Sequence, residues 1–332
     1  MLKDNFGRIH NYLRISLTDN CNFRCTYCMP QEEMEWMPQS RLMSADEIVE
    51  LAEVFVELGV TKIRLTGGEP LVRKDAGDII QRLSKLPVEL SLTTNGILVP
   101  KYIDLLKESG VKSINVSLDT LNPEKFKRLT RRDQFQQVWD SIMLLLEEGF
   151  RVKINAVAML GQIEDELVDF IQLTKKYPLH IRFIEFMPYQ GNSWDSKKVL
   201  TAGEMLKIAG SKLDFKKLTD KPHSTAKKYK VSGYAGTFAF ITTMSEHFCG
   251  SCNRLRLTAD GKIKNCLFGK DELDLLSRLR KGEGVRSLIH ESLAKKHAIL
   301  GGQFSADYQL TQADKIENRS MIKIGGRDDF SS

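Results

Sequence analysis

The residues that could do chemistry in this sequence begin with its six cysteines, all of which fall into two triplets. Cys21, Cys25 and Cys28 are spaced C-x3-C-x2-C, and Cys249, Cys252 and Cys266 are spaced C-x2-C-x13-C. Cysteines two to four residues apart read as metal ligands rather than as a disulfide framework. Three thiolates leave one site of a four-coordinate metal, or one iron of a 4Fe–4S cube, without a protein ligand. A small molecule can bind there. Two such openings in one chain suggest a metal-bound cofactor meeting a metal-bound substrate.

Zinc is the competing reading. At the first triplet it would want a nearby fourth ligand, and His10 lies well upstream; at the second, a zinc ribbon could be completed by His223 or His247. Other residues near the triplets favour a larger site. Gly67-Gly68 lets backbone approach a ligand closely, and Pro70 stiffens the turn. Arg254 and Arg256 follow Cys252 two residues apart, so they share one strand face beside the metal. Arginine is suited to bidentate contact with phosphate.

These residues need elements to position them. A short apolar run, a loop and an amphipathic helix recur six times, the runs being Tyr12–Thr18, Lys62–Thr66, Glu89–Asn95, Ser113–Asp119, Arg151–Ala158 and His180–Phe186. Ser44–Leu58 is the clearest helix, with Ser44 as N-cap and Glu47 completing a capping box; Gln134–Glu148 and Asp165–Lys176 are similar. Gly59, Gly110 and Gly149 mark helix ends. Such alternation predicts a parallel sheet with right-handed crossovers. Side chains two apart share a strand face. One face is apolar throughout, while the other carries Arg14, Ser16, Thr18, Lys62, Arg64, Thr66, Ser91, Thr93, Asn95, Asn115, Ser117, Asp119, Lys153, Asn155, His180 and Arg182. A closed barrel fills its interior with branched apolar residues. This interior must hold water or a polar ligand, because unpaired buried charge is too costly. The pattern therefore predicts an α/β fold, an incomplete TIM-like (βα)6 barrel, against the alternative of an open sheet with one face toward solvent. A C-terminal α+β region follows, giving expected units 1–215 and 216–332. In that second unit Lys216–Lys230 reads as a basic connection, Tyr229–Thr243 and Arg254–Leu267 as β structure, and Asp271–Arg280 and Val285–His297 as helices. The last 30 or so residues are polar and expected to be loosely held.

The bulk numbers exclude little. The chain has 332 residues, 42% hydrophobic and 28% charged, with 49 Lys and Arg against 43 Asp and Glu. That net +6 suits an anionic small molecule, and the basic residues lack the aromatic interleaving of a single-strand binder, so no nucleic-acid partner is expected. No membrane span or signal-peptide core is found, which makes the cytoplasm the default compartment.

Taken together, Cys21-Asn22-Phe23-Arg24-Cys25-Thr26-Tyr27-Cys28 and Gly67-Gly68-Glu69-Pro70 resemble the radical S-adenosylmethionine (SAM) superfamily. The resemblance sharpens with Lys62–Pro70, Thr93–Gly96, Asn115–Asp119, Ile181–Met187, and Phe248–Arg256 with Cys266–Phe268. Over about residues 10–270 the chain is similar to the GTP 3′,8-cyclase family, also called the molybdenum cofactor biosynthesis protein A family. That likeness implies two 4Fe–4S clusters, held by Cys21, Cys25 and Cys28 and by Cys249, Cys252 and Cys266. It implies SAM contacts at Tyr27, Gly68, Ser117 and Met187, and GTP contacts at Arg14, Arg64, Thr93, Lys153, Arg254, Leu255 and Arg256. The implied reaction uses a 5′-deoxyadenosyl radical to take the C3′ hydrogen of GTP, and needs no side-chain acid or base. An electron donor such as flavodoxin or ferredoxin is implied, and a homodimer is a candidate assembly. Family chains end in Gly-Gly, a tail that reaches the active site; here Gly325-Gly326 is followed by six further residues, which leaves that role open.

Overall fold

The structure is a computed structural model that describes residues 1–29, 31, 33–220, 222–304, 307–312 and 315–325. Six strands form its centre: β1 (Tyr12–Ser16), β2 (Lys62–Thr66), β3 (Glu89–Thr94), β4 (Ser113–Ser117), β5 (Arg151–Ala158) and β6 (His180–Glu185). Between them run α1 (Ala45–Glu57), α2 (Ala76–Leu83), α3 (Val99–Glu108), α4 (Pro123–Thr130), α5 (Phe135–Glu147) and α6 (Leu167–Lys176). The expected strands are all present, each matching or ending one or two residues early.

Local chemistry explains the boundaries. The Ser44 hydroxyl accepts from Glu47 N (3.1 Å) while Ser44 N donates to the Glu47 carboxylate (2.6 Å), so the expected capping box opens α1. Ile48, Leu51, Ala52 and Phe55 lie fully buried on its inner face. Gly59 follows with φ +104°, a conformation that glycine, having no Cβ, adopts without strain.

The six strands pair in sequence order and all in parallel. The sheet does not close. α7 (Ala202–Gly210) follows β6, and the remaining strands are β7 (Phe215–Lys217), β8 (Ala226–Val231), β9 (Thr237–Ile241), β10 (Arg254–Leu257), β11 (Lys262–Lys264) and β12 (Leu273–Asp274). β9 adds in parallel to β6, and β10 adds in parallel to β1. The order is β12-β11-β10-β1-β2-β3-β4-β5-β6-β9-β8-β7. The incomplete barrel is thus prolonged at both edges by the C-terminal region. α8 (Leu275–Arg280), α9 (Arg286–Ala294) and α10 (Met321–Ile324) complete the described chain.

Three local expectations need correction. Lys216–Lys230 is not simply a connection, because β7 and β8 pair antiparallel at Lys216↔Lys230; charged side chains on an edge hairpin hide the strand pattern. Asp271–Arg280 opens with β12 before α8 begins. The C-terminal stretch is not loose throughout: Met321, Ile322 and Ile324 are buried. Their partners lie some 300 residues away in sequence, beyond the reach of any local pattern.

Candidate active site

The first cysteine triplet occupies the loop after β1, at the C-terminal end of the parallel strands. Arg24 N donates to Thr130 O (3.0 Å) and Thr26 N to Leu129 O (2.9 Å), which ties the loop to the end of α4. Arg132 Nε reaches Asn22 O (3.1 Å) from the same side. The opposite wall is the β2 turn. Gly68 N donates to Thr18 O and Glu69 N to Asn20 O, both at 2.8 Å. A Cβ on Gly68 would meet the Asp19 and Asn20 carbonyl oxygens at 2.5 Å, so only glycine allows this approach. Glu69 is fully buried and accepts from Leu71 N (3.1 Å), Thr94 Oγ1 (2.9 Å) and Asn95 N (2.6 Å). Burial nevertheless pushes its carboxyl up to about 7. Tyr27 donates to Asp119 (2.8 Å), whose other oxygen accepts from Val157 N (2.9 Å).

Cys21, Cys25 and Cys28 line one pocket with Tyr27, Gly68, Thr93 and Ser117. Burial, then Cys25 and Glu69, push the Cys21 thiol up to about 12, and burial likewise raises Cys28. Three crowded, desolvated sulfurs are poor isolated thiolates and good ligands to a cationic centre. The C-terminal tail enters this pocket. Met321 Sδ lies 3.6 Å from Cys28 Sγ, and a Cβ on Gly325 would sit 2.9 Å from Thr66 Oγ1. Gly326 and the six residues after it lie outside the described residues.

The second triplet lines a second pocket together with Arg254, Arg256, Asn265 and Phe268. Its electrostatics differ from the first. Burial raises Cys252, but Lys296 and Arg254 outweigh it and bring the thiol down to about 6. Arg8 braces the Cys249 loop, donating to the carbonyls of Cys249 (2.8 Å), Ala298 (2.9 Å) and His297 (2.9 Å) while its Nε pairs with Asp4 (2.6 Å). Among the described residues, no three His, Cys, Asp or Glu side chains converge on a single ion-sized point; each set of thiols borders a wider space instead. Three sulfurs around such a space fit a polynuclear group with one iron open to a ligand.

Strand register sets a row of arginines beside the second pocket, which Arg256 lines. Arg256 pairs with Arg14 across β10 and β1, and Arg14 pairs with Arg64 across β1 and β2. The three guanidinium groups therefore project from one row on one face of the sheet. All three residues are at most 3% exposed. Arg64 Nε donates to Tyr12 Oη (2.6 Å), and its Nη1 to Leu92 O (3.2 Å). Burial, then the neighbouring Arg14, lower Arg256 to about 9, as expected where positive charge is crowded in a buried setting. Asn115 is also fully buried on this face, with neither side-chain amide atom hydrogen-bonded to any of the described residues.

Lys153 is half-buried on β5, paired in register with Asn115 and His180. Leu255 pairs with Leu13 and is fully buried, with its side chain on the face opposite the arginines. Met187 is buried beyond the end of β6, where its sulfur accepts from Tyr189 Oη (3.7 Å) and its carbonyl from Asn192 Nδ2 (2.8 Å). It is not among the residues that line the first pocket, though its partner Tyr189 lies close enough to Cys28 to feel its charge. His10 is sequestered with Asp4 (2.9 Å), and His223 hydrogen-bonds Ser251 O (2.8 Å). In the sequence, Glu69 has a role only as part of the Gly-Gly-Glu-Pro edge that the resemblance implies binds the SAM amino group, Asp119 only as a member of the polar face, and Glu185 none of its own. Each is a buried carboxylate inside a motif already singled out, and that combination was the usable signal. Glu185 accepts from Ala202 N (3.0 Å), Met244 N and Ser245 N (both 2.8 Å), fixing the far end of the sheet.

Comparison with known proteins bears on this geometry. Residues 15–174 match the radical SAM superfamily, and residues 179–300 match Molybdenum Cofactor Synthesis C. The chain is 48% identical to the mitochondrial GTP 3′,8-cyclase of Arabidopsis thaliana, covering 98% of this chain and 84% of that one. It is 40% identical to the GTP 3′,8-cyclase of Listeria monocytogenes, covering 98% and 99%. The chain belongs to the GTP 3′,8-cyclase family. Human molybdenum cofactor biosynthesis protein 1 is 45% identical over 97% of this chain, which spans about half (51%) of that relative. Among solved structures, SAM-bound Streptococcus suis SuiB superposes with a TM-score of 0.61 at 16% identity, covering 83% of this chain and 67% of that one. This places the open sheet among radical SAM partial barrels. The family's cofactors are 4Fe–4S clusters and SAM. No helix among the described residues is long and apolar enough to cross a membrane.

Proposed function

We infer that the protein is a GTP 3′,8-cyclase, a radical SAM lyase that converts GTP to (8S)-3′,8-cyclo-7,8-dihydroguanosine 5′-triphosphate in molybdenum cofactor biosynthesis. The observation that carries this reading is the in-register row Arg256–Arg14–Arg64, which adjoins the second cysteine triplet. A buried row of guanidinium groups suits a polyphosphate, and the adjoining thiols suit a cluster whose open iron can take a heteroaromatic nitrogen or oxygen.

We assign Cys21, Cys25 and Cys28 to one 4Fe–4S cluster and Cys249, Cys252 and Cys266 to the other. When bound, the first cluster would supply one-electron reduction of SAM, the source of the 5′-deoxyadenosyl radical that would take the C3′ hydrogen of GTP. The protein's part is positional. Tyr27, Gly68, Ser117 and Met187 are assigned to SAM, with Glu69 holding the Gly-Gly turn in shape. Arg14, Arg64, Thr93, Lys153, Arg254 and Arg256 are assigned to GTP, with Leu255 contributing its backbone. Hydrogen bonds that fix the triphosphate orient the ribose, and burial keeps water from the reacting carbon.

Anaerobic reconstitution with iron and sulfide, followed by GTP, SAM and a reductant, tests the reading. The expected products are 5′-deoxyadenosine, methionine and the cyclised nucleotide. A preparation that holds both clusters yet leaves GTP intact would refute it, as would zinc in both sites. The same proposal includes a flavodoxin or ferredoxin as electron donor, a homodimer as candidate assembly, cytoplasmic residence, and a working division into a barrel unit (1–215) and a substrate-covering unit (216–332).

A further inference from the structure

Lys296 follows α9 by two residues and is 5% exposed. Its ammonium group lies 3.8 Å from Cys252 Sγ. It donates to Arg254 O (3.4 Å) and to Asn265 O, the residue before Cys266. Among the described residues it makes no ion pair with a carboxylate, since the contacts of its nitrogen are these two carbonyls and one sulfur. Nearby His10 adds no charge at neutral pH, because burial and then Lys296 lower its pKa to about 4. A buried ammonium with no carboxylate beside it is expensive to keep unless another negative group answers it, and the sulfur of Cys252 is the candidate here. The neighbouring Lys295 shows the ordinary alternative, exposed and paired with Glu291 at 2.7 Å.

A cluster held by Cys249, Cys252 and Cys266 would add negative charge beside this ammonium. A cube held by three thiolates is negatively charged and gains another negative charge on reduction. We propose that Lys296 is a positioning residue of the second cluster, whose ammonium, held against Cys252 and between the two cysteine-bearing segments, stabilises the reduced cluster and so sets its potential. The geometry suits that role. One flexible stem joins the strand that follows Cys252 to the residue before Cys266, and the charge sits beside a ligand sulfur without occupying the open iron. An outer-sphere N–H donor to a ligand sulfur tunes the metal it does not touch. Arg254 also reaches the Cys252 sulfur, through its backbone N–H and its side chain, so Lys296 shares that sulfur with it, and Arg256 is left to the substrate. The proposal rests on the assignment of Cys249, Cys252 and Cys266 to a cluster.

The test uses the full chain carrying Cys21→Ala, Cys25→Ala and Cys28→Ala, so that only the second triplet remains. Iron and sulfide content and a potentiometric titration followed by electron paramagnetic resonance are read for this parent and for added Lys296→Gln and Lys296→Arg. The parent is expected to hold a cluster. Lys296→Gln keeps a hydrogen-bond donor and loses the charge, so its potential moves to more negative values, and Lys296→Arg moves it back toward the parent. A Lys296→Gln protein with its cluster present and its potential unchanged overturns the proposal. Should Lys296→Gln hold no iron, Lys296→Arg decides: cluster retained there supports a role for the charge, and cluster lost in both assigns Lys296 to packing alone. A parent without iron and sulfide would instead refute the assignment of the second triplet.

Discussion

Arg14 and Arg256 stand side by side on neighbouring parallel strands, one from the start of the chain and one from its C-terminal region. Each guanidinium group disfavours the other in a buried setting, and Arg256 is brought down to about 9 by burial and then by Arg14. An anion between them turns that repulsion into affinity.

Arg256→Ala should therefore weaken GTP binding by about 2 kcal/mol, roughly 30-fold, through loss of a charge-assisted contact. SAM affinity should change by no more than about twofold, since its assigned contacts surround the other triplet. Calorimetry with each ligand checks this. Equal losses for both would point to a damaged fold.

Cys252→Ala should leave the first cluster and some SAM cleavage intact while abolishing cyclised product. Iron analysis and product chromatography are the measurements. Normal product formation would contradict a substrate-docking role for the second triplet.

Gly68→Ala forces a methyl group against two carbonyl oxygens at 2.5 Å, and backbone cannot yield as a side-chain tip does. The Cys21 loop must move, so iron at the first triplet should fall well below that of the wild type. Gly203→Ala in α7, where a Cβ meets nothing within 4 Å, is the control and should stabilise by about 0.5–1 kcal/mol.

His10 titrates near 6.5 in an unfolded chain but near 4 when buried beside Lys296. The unfolded state thus binds the proton first on acidification. Stability from this group is full above pH 6.5 and falls as the pH drops toward 4, by about 3 kcal/mol. Urea midpoints between pH 7 and 4.5 should decline less steeply for His10→Gln than for the wild type; parallel curves would argue against it.

Glu185→Ala strips the acceptor from three backbone N–H groups that tie β6 to α7 and to the loop after β9. The penalty should be about 3 kcal/mol, because buried donors are left unsatisfied. A denaturant midpoint close to that of the wild type would mean that water replaces the carboxylate.

Much of this architecture could be read from residue types alone. The six barrel strands, the Ser44 cap and the polar interior face all follow from periodicity, because each is a local pattern repeated over several residues. The arginine row was half legible: Arg14 and Arg64 shared a predicted face, but their alignment with Arg256 depends on β10 pairing with β1 across more than 200 residues. The β7–β8 hairpin was obscured by lysines that keep an edge soluble. Lys296 was invisible, since beside exposed Lys295 in a helical stretch nothing in sequence distinguishes a buried ammonium from a solvated one. Met321 was missed for the same reason as α10, its neighbours being residues of the first barrel loop.

The pairing of β9 with β6 and of β10 with β1 carries a consequence for biosynthesis. While the chain is still emerging, a nascent half-barrel displays two unsatisfied rows of backbone donors and acceptors, each able to recruit a stray strand. Those rows are sealed only when residues near 240 and 255 arrive. A fragment stopped at residue 215 should accumulate as aggregate, and substitutions that slow pairing of β9 or β10 should lower soluble yield without touching the chemistry.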